Sequence, residues 1–98
     1  MAVTDYEVTY ILRPSLEETE VDERSNEIAQ RVKDSGGEVI GELDKLGKRR
    51  LAYEIDDVRE GYYVVMKFRT QPEEQKELER QMRLNDNVLR ALFIRTDE

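Results

Sequence analysis

Gly61-Tyr62-Tyr63-Val64-Val65-Met66-Lys67-Phe68-Arg69 is the stretch on which the fold turns. Tyr62, Val64, Met66 and Phe68 fall on one side; Tyr63, Val65, Lys67 and Arg69 fall on the other. Period two with aromatic and β-branched residues is the pattern of a half-buried strand. The polar run Asp56-Asp57-Val58-Arg59-Glu60-Gly61 before it reads as a hairpin loop. Upstream, Glu38 to Ile55 is a long extended region. Its clearest strand pieces are Val39-Ile40 and Leu51-Ala52-Tyr53-Glu54-Ile55, and Gly47 predicts a bulge or bend between them.

Downstream, Gln71-Pro72 breaks the strand and opens a helix from Glu73 to about Leu84, because proline fits the first helical position. Its apolar stripe is Leu78, Met82 and Leu84. Asn85-Asp86-Asn87 is a turn, and Val88 to Arg95 is a last strand with Leu89, Ala91 and Phe93 opposite Arg90, Leu92 and Ile94. At the other end, Val3 to Leu12 alternates Tyr6, Val8, Tyr10 and Leu12 against Asp5, Glu7, Thr9 and Ile11. Arg13-Pro14-Ser15 stops this first strand, since Pro14 has no N–H for a ladder. A helix follows from about Glu18 to Ser35, with Leu16 covering its entrance. Thr19 and Asp22 predict a capping-box start, and Val21, Ile28 and Val32 form the buried stripe. Glu20–Arg24 and Glu27–Arg31 are spaced for surface ion pairs, and Gly36-Gly37 ends the helix.

The order is strand–helix–strand–strand–helix–strand. In one short chain, two right-handed strand–helix–strand units interleave most economically into one antiparallel sheet with both helices on one face. This predicts an α+β, ferredoxin-like βαββαβ sandwich, a single domain over residues 1–98. Val8, Tyr10, Leu12, Val64, Met66, Phe68, Leu89, Ala91 and Phe93 should meet Val21, Ile28, Val32, Leu78 and Met82. The other face should stay open, with Glu7, Ile11, Tyr63, Val65, Lys67, Arg90 and Ile94.

Composition removes several function classes. The chain has 98 residues, 23 acidic and 16 basic side chains, a net charge of −7, and no cysteine or histidine. Disulfide scaffolds, thiolate zinc sites and histidine-based acid–base chemistry are excluded. No run of about 18 apolar residues exists to span a membrane. Met1-Ala2-Val3-Thr4-Asp5 has neither a basic nor an apolar leader region, so the expected location is the cytoplasm. Gly36-Gly37 lacks the further glycine and lysine of a phosphate loop, and the acids at Asp56-Asp57 and Glu73-Glu74 sit where loops and helix starts favour them. No enzyme, metal, cofactor or small-molecule substrate is expected.

The charge is uneven. Residues 1–44 carry 12 acids and 4 bases, whereas residues 45–98 carry 11 acids and 12 bases. Lys45, Lys48, Arg49 and Arg50 form one basic block; Arg80, Arg83, Arg90 and Arg95 form another. In the expected fold the second and fourth strands are opposite sheet edges, so the blocks need not form one patch; they serve either phosphate binding or protection of an exposed edge. The Gly61-Tyr62-Tyr63-Val64-Val65 run also invites comparison with an RNA-recognition motif, whose aromatics stack bases on the open face. Tyr63 and Val64 depart from that pattern.

Leu46-Gly47-Lys48-Arg49-Arg50-Leu51-Ala52-Tyr53-Glu54-Ile55 resembles the signature segment of the bacterial small-subunit ribosomal protein six family. Tyr6-Glu7, Ile11-Leu12-Arg13-Pro14, Gly61-Tyr62-Tyr63 and Leu84-Asn85-Asp86-Asn87-Val88-Leu89-Arg90 extend the resemblance across nearly the whole chain. It implies a ferredoxin-like structural protein of the small ribosomal subunit. Such a protein pairs with small-subunit ribosomal protein eighteen and binds the central domain of small-subunit ribosomal RNA. By the same resemblance, Arg90 and Arg95 are expected at RNA, with Asn87 and Tyr6 as neighbours and Lys48, Arg49 and Arg50 as the family's basic segment. Leu46, Gly47, Arg49 and Leu51 are expected at the partner protein. Thr4 and Asp5 stand where some members have arginines, and the chain ends at Thr96-Asp97-Glu98 where many members carry a tail. The alternative from another class is a non-ribosomal RNA-recognition-type module using the open sheet face.

Overall fold

The prolines and glycines that punctuate the sequence bound elements in the order expected. A computed structural model describing residues 3–96 runs β1 (Thr4–Leu12), α1 (Glu18–Asp34), β2 (Glu38–Ile55), β3 (Val58–Thr70), α2 (Pro72–Leu84) and β4 (Val88–Arg95). The ends Met1-Ala2 and Asp97-Glu98, on which the expectations about a leader and a tail partly fall, lie outside the described residues. The sheet order is β2-β3-β1-β4, with every neighbouring pair antiparallel. This is the ferredoxin-like sandwich, and β2 and β4 are its two edges.

The core sits between sheet and helices. Val8, Tyr10, Leu12, Val64, Met66 and Phe68 are fully buried and pack with Val21, Ile28, Val32, Leu78 and Met82. Tyr6 stacks on Phe68 at 5.5 Å between ring centroids, and Phe93 meets Phe68 edge-on at 6.2 Å. Burying such side chains stabilises the fold by about 1.5–3 kcal/mol each. One polar pair lies among them. The Ser25 hydroxyl lies beside that of Tyr10, close enough to act on it, but neither completes a hydrogen bond. Burial pushes the Tyr10 phenol up to about 12, and the Ser25 hydroxyl opposes that rise.

Several local expectations are corrected. α1 begins two residues earlier than a Thr19 cap would allow: Glu17 is the N-cap, and its N–H donates to Glu20 Oε1 at 2.9 Å. Arg24 pairs with Glu27 at 3.0 Å and with Glu23 at 3.5 Å rather than with Glu20. Arg31 turns to Gln81 of α2. The six-residue hairpin loop is in fact a two-residue turn. Asp56 and Asp57 have φ of 51° and 63°, the left-handed pair that lets a tight hairpin follow the sheet's twist. The pairing of β1 with β4 slips one residue between Ile11 and Leu12, so Val88 rather than Leu89 enters the core. Leu89 passes to the other face, where its Cδ1 comes within 3.5 Å of a Cβ position on Gly61.

The face away from the helices is not open throughout. Ile11 and Leu51 are each only 8% exposed, yet stand outside the helix-side cluster. The end of the β2–β3 hairpin that extends past β1 folds over this corner. Gly61 makes that approach possible, because a Cβ there would lie 2.5 Å from Ile11 Cγ2 and 2.9 Å from the Leu12 carbonyl. The opposite end does stay open, with Leu92 and Ile94 at 57% and 47% exposure.

Candidate nucleic-acid and partner interface

Alternation along β2 divides the basic segment between two faces. Lys48, Arg49 and Arg50 pair in turn with Tyr62, Gly61 and Glu60 of β3. Lys48 therefore stands on the helix side, its Nζ 5.2 Å from the centroid of the Tyr62 ring. Arg49 faces the other way and donates from Nε to the Leu46 carbonyl at 3.3 Å. Arg50 lines a shallow cleft with Pro14, Asp57, Val58, Arg59 and Glu60. Gly47 adopts a φ of 86° at a break in the register, which is the bend expected there. Leu46 is half-buried and Leu51 is buried, so Leu51 serves the fold rather than offering a side chain to a partner.

The expected RNA residues also separate. Arg90 pairs with Ile11 and so lies on the face away from the helices. Arg95 pairs with Tyr6 at the far end of β4, on the helix side. Five residues along a strand put the two about 17 Å apart. Tyr6 is 8% exposed and stacked in the core, so its ring contributes stability rather than surface. Asn87 holds the turn before β4: its N–H donates to Asn85 Oδ1 at 2.9 Å, and its carbonyl accepts from the Arg13 N–H at 3.0 Å.

Of the two basic blocks, Lys45, Lys48, Arg49 and Arg50 lie on the β2 edge, Arg80 and Arg83 on α2, and Arg90 and Arg95 on the β4 edge, but the hairpin end carries Tyr53 of β2 to Arg90. The Arg90 guanidinium carbon lies 5.6 Å from the centroid of the Tyr53 ring. Arg13, at the exit of β1, donates from Nε to the Asp86 carbonyl and pairs through Nη2 with Asp56 Oδ2 at 3.4 Å. Around the hairpin end thus lie Arg13, just past β1, beside Asp56; Arg50 of β2 and Arg59 of β3 in the cleft with Asp57; and Arg90 of β4 beside Tyr53. Sequence reasoning missed Arg13, Tyr53 and Arg59. The available signal was the tight Asp56-Asp57 turn, which makes the hairpin a long twisted ribbon rather than a loose loop.

Ion pairing is uneven among the cations: at the hairpin end itself Arg59 pairs with Glu54 at 2.8 Å, as Arg13 does with Asp56. Lys45 pairs with Asp22 of α1 at 2.8 Å, Arg69 with Asp5 at 2.6 Å, and Arg80 with Glu77 at 2.6 Å. The Asp5 carboxylate raises the pKa of Arg69 still further, and Arg80 lowers that of Glu77. No ion pair among the described residues engages Arg49, Arg50 or Arg90. Cations of this kind keep their charge for an external anion. Among the described residues no group of three or more acids is placed to hold a metal ion, and no helix is long and apolar enough to cross a membrane.

Comparison with known proteins fits this geometry. The family model for Ribosomal protein S6 matches residues 5–95. Small ribosomal subunit protein bS6 of Desulforamulus reducens is 45% identical over 94 residues, covering 96% of this chain and 98% of that protein. The bS6 protein of Desulforudis audaxviator is 48% identical over 92 residues, covering 94% and 97%. Among solved structures, 30S ribosomal protein S6 from Thermotoga maritima aligns with a TM-score of 0.88 at 26% identity, covering 97% of this chain and 89% of that one. With nearly the whole length matched in sequence and in fold, the chain belongs to the ribosomal protein S6 family of the small ribosomal subunit.

Proposed function

We propose that this chain is a structural component of the bacterial small ribosomal subunit, located in the cytoplasm. It binds the central domain of small-subunit ribosomal RNA together with small-subunit ribosomal protein eighteen, and it performs no catalytic step and needs no cofactor. The observation that carries this reading is that Arg13, Arg50 and Arg90 all lie around the β2–β3 hairpin end, Arg50 and Arg90 without an ion pair, although the chain as a whole has a net charge of −7. Local cations bind phosphate by releasing condensed counterions, whatever the total charge. The total still repels RNA at a distance, so the chain alone binds weakly. A basic partner corrects this, and the acids of residues 1–44 attract it.

In this reading Arg90, with Asn87 and the basic residues of β2, makes one RNA contact, and Arg95 makes a second at the other end of β4. The β2 edge around Leu46, Gly47 and Arg49 meets the partner protein. The open end of the sheet, with exposed Leu92 and Ile94, suits an apolar protein surface better than a base-stacking platform. The test replaces Arg90 and Arg95 by alanine and measures the affinity of the protein pair for a central-domain RNA fragment across salt concentrations. A loss of about 1–3 kcal/mol per direct contact and a shallower salt slope are expected. Unchanged affinity and slope would show that these arginines do not touch RNA.

A further inference from the structure

We propose that the end of the β2–β3 hairpin, residues 52–59, is a latch that occupies two RNA-binding arginines in the free protein and is displaced by RNA phosphates. The inference rests on the RNA-binding reading above and assigns a role to Arg13, Tyr53 and Asp56. Two side-chain contacts tie the hairpin end to the rest of the molecule through arginines. Asp56 takes Arg13 at 3.4 Å, and the Tyr53 ring takes Arg90 at 5.6 Å. The Asp56 carboxylate stands where a phosphate oxygen would stand, on a guanidinium already oriented by the Asp86 carbonyl.

The latch is built to be weak. The side chains of Arg13 and Asp56 are 34% and 69% exposed, and Tyr53 is 58% exposed. Exposed contacts of these two kinds each shift an equilibrium by less than about tenfold. Ladder pairing is also interrupted between Arg50 and Ile55, so the tip is joined to its base by an irregular stretch. Buried Leu51 anchors that base, whereas Ala52, Tyr53, Glu54, Asp56, Asp57 and Arg59 are all exposed. A phosphate offers Arg13 a bidentate, fully charged partner, and displacement leaves Arg90 free to take another. The cost of binding is then the loss of these two marginal contacts and of the packing of half-buried Ile55 and Val58.

The test uses the full chain in three forms: unchanged, Tyr53→Leu, and Tyr53→Leu with Asp56→Asn. Amide hydrogen exchange of residues 52–59 is followed in the free protein. The affinity of each form, paired with its partner, is measured for the central-domain RNA fragment. Exchange at residues 52–59 should speed up by about three- to tenfold in the double variant, with residues 62–69 unaffected. RNA affinity should rise for Tyr53→Leu alone, and again for the double variant. Unchanged exchange would show that no latch exists. A gain in affinity in the double variant but none with Tyr53→Leu alone would reduce the effect to removal of one negative charge and would equally overturn the proposal. Failure of the RNA reading is told apart by Arg90→Ala, which would then leave affinity intact in every background.

Discussion

Gly61→Ala should lift the hairpin off the sheet. A Cβ at this position would sit 2.5 Å from Ile11 Cγ2 and 2.9 Å from the Leu12 carbonyl. The first contact is with a side chain and the second with backbone, so local rotation cannot relieve both. Forcing a methyl group into such a site costs about 1–3 kcal/mol. Truncating the buried Ile11 to alanine costs about 2–4 kcal/mol by itself. The two changes are coupled, because the alanine at position 11 removes the Cγ2 atom that the new methyl group strikes. The double variant should therefore be more stable than the sum of the single losses by about 1 kcal/mol or more. Urea unfolding of the four proteins closes the cycle. The Gly61→Ala protein should also lose the ring-current shift that Tyr53 imposes on Arg90, since both lie on the displaced corner. Strict additivity of the two losses would refute the close approach of Gly61 to Ile11, and with it the account of why the hairpin folds over this face.

Two further outcomes follow from the core and the turn. The Tyr10 phenol is raised to about 12 from an unfolded value of 10.0. Stability is therefore full below pH 10 and falls as the pH rises toward 12, because only the unfolded state ionises in that window; the loss is about 2–3 kcal/mol. Tyr10→Phe should abolish that slope in denaturant midpoints while leaving neutral-pH stability nearly unchanged, since its hydroxyl has no hydrogen bond to lose. Asp57→Gly should raise stability by about 0.5–1 kcal/mol, because glycine holds a φ of 63° without steric cost. A calorimetric melt that falls instead would show that the Asp57 side chain contributes more than its backbone strain removes.

What could be read in the sequence was whatever depends on neighbours along the chain. Alternation in Tyr62 to Arg69, Pro72 at the head of α2 and Gly36-Gly37 after α1 all encode local geometry, and the structure follows them. The errors are non-local. Leu89 keeps perfect alternation with Ala91 and Phe93, yet the pairing with β1 slips beside it, and nothing within β4 announces the slip. Ile11 looks like an open-face residue because strand periodicity has no knowledge of a hairpin curling over it. Ser25 sits between Val21 and Ile28 on the buried stripe, where a polar residue gives no sign of meeting Tyr10. The candidate site suffered in the same way. The basic residues were visible as blocks, but twist and register decided which of them converge. Arg90 meets the far edge through Tyr53, while Arg95 turns to the other side.

On the proposed function, this acidic chain binds ribosomal RNA tightly only in company. The direct measurement is its affinity for the central-domain RNA fragment, alone and with small-subunit ribosomal protein eighteen, at two salt concentrations. Binding should be weak for the chain alone and tight for the pair, with a steeper salt dependence for the pair because more phosphates are neutralised. Equal affinity with and without the partner would contradict the proposed function.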